Sequence, residues 1–434
     1  MISKRKYFLE IYIGIIAFIV LMGWLFSSII SMIILLGVFI VILFVFKDLK
    51  YGIPIILFII FSISNGFDGE NIPIFYISVI GVVVFVLLVF NIIEGFSLKN
   101  MSSFIGLLGM GVCNVTPIFW TKLDNEIFYS FYFIGFGYLI LYVLLFSGIK
   151  SDSIEMLSTS MSFLGVILAF ECFIKVLMLK DTTEHIFDLS YYLGWGVCNE
   201  AGILMLMSLP FCFYMFGKMK SDWIYQFIKI IIVLIGMVFT MSRGTYLFGI
   251  IEVLLLSICL LFFCSNKELY KKIFTIAVLS ICVLLIICLP LIDDIIFRVF
   301  KDGFSSNGRI KIWKMGFDIW KKHIFFGSGI CSKMMILNTP LGYQEVPLVF
   351  HSSIVEVLVV GGVVGIVFFI IHLYEKYRSL FKMDRLFIVT SVIGYVVVDL
   401  YGLIDNTYYM YYYMIVLAVI MASIDNKIKY SYSI

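Results

Sequence analysis

Four ionisable residues stand where apolar segments of this sequence begin, and charges in such places are costly unless they have a function. Arg243 interrupts the apolar stretch "MVFTMSRGTYLFG", and Arg309 opens the stretch "GRIKIWKMGFDIWKKH". His351 and Glu356 both lie in "FHSSIVEVLVVGGVVG". Guanidinium groups bind phosphate oxygens through paired hydrogen bonds, and an imidazole accepts protons near neutral pH. These residue types fit the binding of an anion such as phosphate, together with general-base catalysis.

Residues 308–326 have the periodicity of an amphipathic helix at about 100° per residue. The apolar face is predicted to carry Ile310, Trp313, Phe317, Trp320 and Ile324. The opposite face is predicted to carry Lys311, Lys314, Asp318 and Lys322. Two tryptophans on the apolar face suit a helix lying in a membrane interface. Its lysines are then either solvated beside lipid headgroups or in contact with an anionic substrate.

Arg309 lies near the middle of the apolar face and at the start of the helix, where the macrodipole disfavours a cation. It therefore needs a bound anion or a structural ion pair. Arg243 either binds an anion or extends to the membrane interface from a short turn. His351 is either a helix cap or a general base. Glu356 is a weaker candidate base, and the glycines after it also suit close helix packing.

The composition identifies the kind of chain that presents these residues. It has 434 residues, of which 62% are hydrophobic and only 14% are charged. A soluble domain carries about 25% charged residues, so the chain is predicted to be a polytopic membrane protein. Most of its nine cysteines lie in apolar runs, which argues against a disulfide framework. The basic N-terminal stretch leads into an apolar run without a cleavage site, so this run is predicted to be an uncleaved first span.

An all-α fold with about fourteen membrane-spanning helices is predicted, since roughly 20 apolar residues cross a bilayer. The predicted spans are 8–26, 29–46, 52–64, 72–93, 103–120, 127–147, 156–179, 201–217, 224–241, 245–264, 273–292, 353–373, 386–404 and 407–424. Residues 1–434 are predicted to form one membrane domain, with a long outer loop at 293–352. Basic residues are concentrated in the segments assigned to the inside, which predicts that both termini are cytoplasmic.

The order and spacing of these stretches resemble the O-antigen ligase and Wzy-type polysaccharide polymerase superfamily over about residues 198–370. The matching positions are Arg243, Gly308, Arg309, Trp313, Gly327, Gly329, His351, Gly362 and Gly365. "CNEAGILMLMSLP" resembles the start of an earlier span in that family and makes Asn199 a candidate substrate ligand. Ile324 and Ser352 depart from the family pattern, which has proline and asparagine there. The departure at Ser352 leaves a role for that side chain in doubt.

The resemblance implies a metal-independent membrane glycosyltransferase without a cofactor, whose active site faces outward from the bacterial cytoplasmic membrane. Its donor and acceptor would be undecaprenyl-pyrophosphate-linked oligosaccharides. Membrane lipids, a chain-length regulator and a flippase would be its partners, and nucleic acid would not. The implied catalytic residues are Arg243, Arg309 and His351. The implied substrate-binding residues are Asn199, Lys311, Trp313, Lys314 and Glu356.

A polymerase is favoured over a ligase because the surplus lysines suit two anionic sites and fourteen spans suit that branch by analogy. The tyrosines in "TYYMYYYM" are expected to form an aromatic belt or to stack on sugars. A lipid-linked oligosaccharide flippase is the competing class. Such a protein would use charges inside the bilayer, for which the candidates are Glu171, Lys175, Glu252 and Asp399.

Overall fold

A computed structural model describes most of the chain. The described residues are 2–62, 72–97, 101–121, 135–179, 191–193, 196–218, 223–268, 270–272, 274–275, 308–339 and 342–431. The helices among them are α1 (Ile2–Leu25), α2 (Ile29–Phe46), α3 (Ile53–Phe58), α4 (Ile72–Glu94), α5 (Phe104–Val115), α6 (Phe136–Gly148), α7 (Ile154–Leu179), α8 (Cys198–Lys218), α9 (Trp223–Phe239), α10 (Arg243–Phe263), α11 (Arg309–Trp320), α12 (Ser353–Leu380), α13 (Arg385–Tyr401) and α14 (Tyr411–Ser431). Short 3₁₀ segments are Leu49–Gly52, Ile59–Ser62 and Thr116–Phe119.

These helices follow the predicted spans closely. In the described residues, seven helices are long and apolar enough to cross a membrane, and five further apolar helices are shorter. The chain is therefore a helical, polytopic membrane protein by length and composition. The predicted span 273–292 lies almost wholly outside the described residues, as do residues 293–307 of the loop and 127–134 of the sixth span. Fourteen spans therefore remain a prediction.

One element of the long loop is absent from the all-helical prediction. Strands β1 (Met334–Thr339) and β2 (Gly342–Pro347) pair in antiparallel fashion, with Thr339 opposite Gly342. The pairing leads the chain from α11 back to the start of α12.

Helix α8 forms the centre of the bundle, because 94% of the residues in its apolar 18-residue stretch are buried. Helices α7, α9, α10 and α13 pack around it. Helix α5 packs against α12 through glycines, since a Cβ at Gly106 would lie 2.5 Å from the Cα of His372. Close approach at small residues is typical of helix pairs in membranes. This contact places α12 at the edge of the bundle where the long loop returns.

Helix α12 is two helical segments joined at Gly362, whose φ of 65° and ψ of −160° are non-helical. The amide of Ser353 bonds to the Gly402 carbonyl oxygen at 2.7 Å, and Lys376 Nζ bonds to the Asp399 carboxylate at 2.7 Å. A straight helix would separate residues 353 and 376 by about 35 Å. Both residues instead contact a single turn at the end of α13, so α12 is bent.

The chain that follows α11 fills the break in α12. The amides of Ser328 and Val363 bond across it, to the carbonyl oxygens of Val359 at 2.7 Å and Ile324 at 3.0 Å. Backbone groups freed inside a membrane protein need such partners. A Cβ at Gly362 would lie 2.4 Å from the Phe325 carbonyl oxygen, so only glycine permits this contact. The break thus fixes the loop to the bundle by backbone hydrogen bonds.

This arrangement predicts that alanine is tolerated at one glycine of the motif and not at another. Gly362→Ala should lower the stability of the protein by about 1–3 kcal/mol from backbone strain alone, with further loss from the overlap. Gly365→Ala is the matched control, because its Cβ would make an ordinary contact at 3.4 Å. Thermal unfolding of both purified variants measures the difference. Equal stability of the two would contradict the role given to the break.

Candidate functional site

Helix α11 packs on the first half of α12. Ile319 forms a small core with Phe350, Val355 and Val359, and Trp313 packs against it. Ile310 and Phe317 are exposed, although both were predicted to share the face of Trp313. The sequence analysis did not predict the further apolar arc, which contains Ile319 and packs on the protein. The helix has one side on the protein and a second apolar side away from it.

Arg309 lies close to a carboxylate that was not among the predicted site residues. Its Nη2 lies 3.9 Å from Oδ2 of Asp405, whose side chain is only 9% exposed. Asp405 belongs to the segment between α13 and α14. It supplies a negative charge near the start of α11, which offsets the unfavourable dipole there. The pair is loose, so guanidinium N–H groups of Arg309 remain available to a ligand.

His351 contacts the other oxygen of the same carboxylate. Its Nδ1 lies 3.2 Å from Oδ1 of Asp405. A carboxylate at Nδ1 favours the tautomer in which Nε2 is unprotonated, and this nitrogen can then accept a proton. His351 also has a φ of +50°, an uncommon conformation for a residue with a side chain. Such strain is frequent at functional sites.

The turn before His351 is held by two residues that were predicted to bind substrate. Trp313 Nε1 donates to the Phe350 carbonyl oxygen at 2.9 Å. The Phe350 amide donates to Oε2 of Glu356 at 2.9 Å, and Glu356 is buried. Both side chains therefore fix the backbone next to His351. A second contact, from the Thr407 amide to Ser353 Oγ at 3.0 Å, joins this turn to the segment that carries Asp405.

Arg243 is exposed and is the first residue of α10, which begins two residues before the predicted span at 245. The hydroxyl of Ser242 caps this helix and lies 3.2 Å from the Tyr401 hydroxyl. Tyr401 interacts electrostatically with both Arg309 and Asp405. The turn of Arg243 is thus connected through Tyr401 to the cluster of Arg309, His351 and Asp405, which we call the Asp405 cluster.

The start of α8 approaches the same cluster. Asn199 is half-buried in the first turn of this helix. Its neighbour Glu200 accepts a hydrogen bond from the Val197 amide at 2.8 Å and another from the Tyr412 hydroxyl. The Glu200 carboxylate also interacts electrostatically with Asp405. Glu200 therefore contributes a second carboxylate beside the cluster that the sequence prediction omitted.

The remaining predicted site residues differ in their surroundings. Lys311 and Lys314 are exposed on α11. Tyr408, Tyr409, Tyr412 and Tyr413 are each at most 6% exposed. The predictions that these four form an aromatic belt or stack on sugars are therefore wrong, since their rings pack inside the protein.

A buried ion pair supports the segment that carries Asp405. Lys376 is fully buried, and its Nζ bonds to Asp399 and to the Tyr408 hydroxyl, each at 2.7 Å. The hydroxyl of Tyr408 donates in turn to Asp399 at 2.7 Å. Removing one partner of such a buried pair costs about 3–5 kcal/mol. Asp399 and Tyr408 flank Asp405 in sequence, so the pair fixes both ends of its loop.

Comparison with known families adds a match over part of the chain. Residues 228–370 match the Wzy_C family model, which is described as O-Antigen ligase. This chain contains an O-antigen ligase (Wzy_C) domain. The domain runs from α9 into α12 and includes Arg243, Arg309 and His351. No curated protein matches the chain at a significant level.

Two residues of the site lie outside the matched part of the O-antigen ligase domain. Glu200 precedes residue 228 and Asp405 follows residue 370. A sequence signal for Asp405 did exist, because "LIDNTYY" places an acid among apolar residues at the outer end of a predicted span. The sequence alone does not pair that acid with His351, since 54 positions separate them.

Proposed function

We propose that this protein is a polysaccharide polymerase that lengthens O-antigen or capsule chains. Its family acts on lipid-linked glycans at the membrane. The donor would be a glycan on undecaprenyl pyrophosphate, and the acceptor a second lipid-linked repeat. The observation that supports this function most directly is the Asp405 cluster, which combines an anion-binding arginine with a histidine oriented to accept a proton.

The proposed reaction joins the acceptor sugar to the donor glycan. An acceptor hydroxyl oxygen bonds to the anomeric carbon of the donor while the bond from that carbon to the pyrophosphate oxygen breaks. The hydroxyl proton passes to Nε2 of His351, and Asp405 stabilises the imidazolium that forms. The electron pair of the broken bond leaves with undecaprenyl pyrophosphate. Arg309 and Arg243 stabilise the negative charge that grows on this leaving group.

A polymerase must hold two lipid pyrophosphates, whereas a ligase holds one together with a different acceptor. Lys311 and Lys314 are exposed on the helix of Arg309, and they offer positive charge to the second pyrophosphate. The test supplies purified protein with one lipid-linked repeat unit. Chains of several repeats support a polymerase. Transfer only to added lipid A core, with no self-elongation, would make the protein a ligase.

A flippase for the same lipids needs charges along a path through the bilayer. Asp399 is instead bonded to Lys376, and Glu252 is buried beside Pro210 and Gly394. Among the cavities in the described part of the chain, those of about 620 and 680 Å³ are not lined by Glu171, Lys175, Glu252 or Asp399. These placements favour the enzyme. Movement of lipid-linked repeats across liposomes without elongation would favour the flippase.

The proposed orientation places the Asp405 cluster outside the cytoplasmic membrane and both termini inside. It rests on the distribution of basic residues between the loops. Cysteine in place of exposed Lys314 should react with an impermeant thiol reagent on intact cells, in a background without accessible native cysteines. Cysteine in place of exposed Lys267 should react only after the membrane is opened. The reverse pattern would invert the proposed orientation.

A further inference from the structure

A cavity of about 620 Å³ lies between the start of α5 and the ends of α12 and α14. These ends are the ones away from His351 and Asp405, so the cavity is separate from the Asp405 cluster. Its charged lining consists of Glu375, Arg378, Lys382 and Asp425. Whether it attracts an anion or a cation depends on which of these charges the protein already uses.

The two acids already bind donors of the protein. Asp425 accepts hydrogen bonds from the amide of Ser102 at 3.1 Å, from its hydroxyl at 2.7 Å and from the Tyr142 hydroxyl. Glu375 accepts from the amides of Ile105 and Gly106. Glu375 thus serves the first turn of α5, where backbone N–H groups have no partner within the helix, and Asp425 binds Ser102 just before that helix. Because these hydrogen bonds occupy their oxygens, Glu375 and Asp425 are less able to bind a cation.

Arg378 lies in the last turn of α12 and Lys382 lies in the turn that follows this helix, and both cations are exposed. Arg378 interacts electrostatically with Glu375, and Lys382 with Asp425. Neither cation forms a close salt bridge within the described ranges of the chain. Their guanidinium and ammonium groups are therefore available to an anion in the cavity.

Apart from Ser102 and Ser379, the remaining lining of the cavity is apolar or aromatic. Ile105 is 60% exposed, Phe104 is 40% exposed and Tyr374 is 61% exposed. Exposed apolar side chains next to cations match an amphipathic ligand, with a charged head and hydrocarbon chains. A free inorganic anion would have no use for this apolar surface.

We propose that this cavity binds an anionic phospholipid, with its phosphate between Arg378 and Lys382 and its acyl chains along Phe104 and Ile105. Basic pockets between membrane helices are suited to such headgroups. The lipid would join the ends of α5, α12 and α14. In the proposed orientation, this lipid would belong to the inner leaflet of the membrane. Lipid binding itself does not depend on the proposed enzymatic function.

The test measures lipid retention by native mass spectrometry on the full chain, purified with phosphatidylglycerol or with phosphatidylcholine. The parent should retain phosphatidylglycerol in preference. The double variant Arg378→Gln/Lys382→Gln should bind phosphatidylglycerol about ten- to thirty-fold more weakly. Each cation contributes a similar amount to the binding free energy, and the variant loses both contributions. Exchanging the cations, as Arg378→Lys/Lys382→Arg, should retain binding and so separates loss of charge from misfolding.

The matched control is Lys267→Gln/Lys271→Gln, another exposed basic pair four residues apart on the same proposed membrane side, away from the cavity. It should leave phosphatidylglycerol retention unchanged. Equal retention of the two lipids by the parent, or an equal loss in the control pair, would overturn the proposal. Displacement of the lipid by millimolar inorganic phosphate would also overturn it and would make the cavity a site for soluble anions.

Discussion

Arg309→Ala should reduce chain elongation on lipid-linked repeats by about 100- to 1,000-fold, the cost of removing one preorganised donor from a developing anion. The variant loses the group that contacts the leaving pyrophosphate in the proposed reaction. Arg309→Lys should also be impaired, because an ammonium keeps the charge but lacks the planar fork. The measurement is the initial rate with purified donor and acceptor, together with thermal unfolding of each variant.

The contact between Arg309 and Asp405 makes a control essential. If Arg309 served only to neutralise Asp405, its loss would lower stability and leave the rate of the folded fraction near that of the parent. Asp318→Ala removes an exposed charge from the same helix and should change neither quantity. A folded Arg309→Ala protein with near-normal chain length would therefore reduce Arg309 to a structural ion pair.

The helices were predictable because they are set by local pattern. Apolar runs of sufficient length gave nearly every helix that the structure describes, and the start of α11 at Arg309 was also predicted. The same pattern indicated that Arg309 needs a negative partner. A periodic sequence therefore reveals a requirement for a partner. It does not reveal which residue meets that requirement.

Asp405 could not be identified from local pattern, because the contact with Arg309 depends on how three separate segments meet. The start of α11, the turn before α12 and the segment after α13 are brought together by Trp313, Ser353 and the bend at Gly362. Each of these contacts is long-range in sequence. The bend itself arises from backbone pairing with residues 324–329, for which hydropathy gives no signal.

The arc of α11 that packs on the protein was not predicted, for a related reason. The helix is apolar on two arcs, and periodicity alone does not distinguish the arc that packs on protein from the arc that is left exposed. Gly316 and Ile319 face α12, where a Cβ at Gly316 would lie 2.9 Å from Phe350. The close packing of that glycine decides which arc is buried. Ile310 and Phe317 consequently remain available to lipid.

Replacing His351 should decrease elongation by about 100- to 10,000-fold, the range for general acid–base groups. The φ of +50° at this position makes His351→Asn a sharper variant than His351→Ala, because asparagine adopts the left-handed conformation with less strain. Asparagine can also keep a hydrogen bond to Asp405. Donor binding should persist, since the pyrophosphate contacts belong to the arginines. The measurement is elongation and donor affinity for the parent and the variant across pH.

The pH profile distinguishes a base from a positioning residue. A base must be neutral to accept a proton, so the parent rate should decrease with decreasing pH. This acidic limb should be absent from the residual activity of His351→Asn. Asp405→Asn should retain His351 but lose the carboxylate that orients it, so its rate should fall while donor affinity is less affected. If His351→Asn kept nearly full activity and the parental pH profile, His351 would only position the acceptor.

The proton would then have to pass to another group, and Glu200 is the carboxylate beside Asp405 that could receive it.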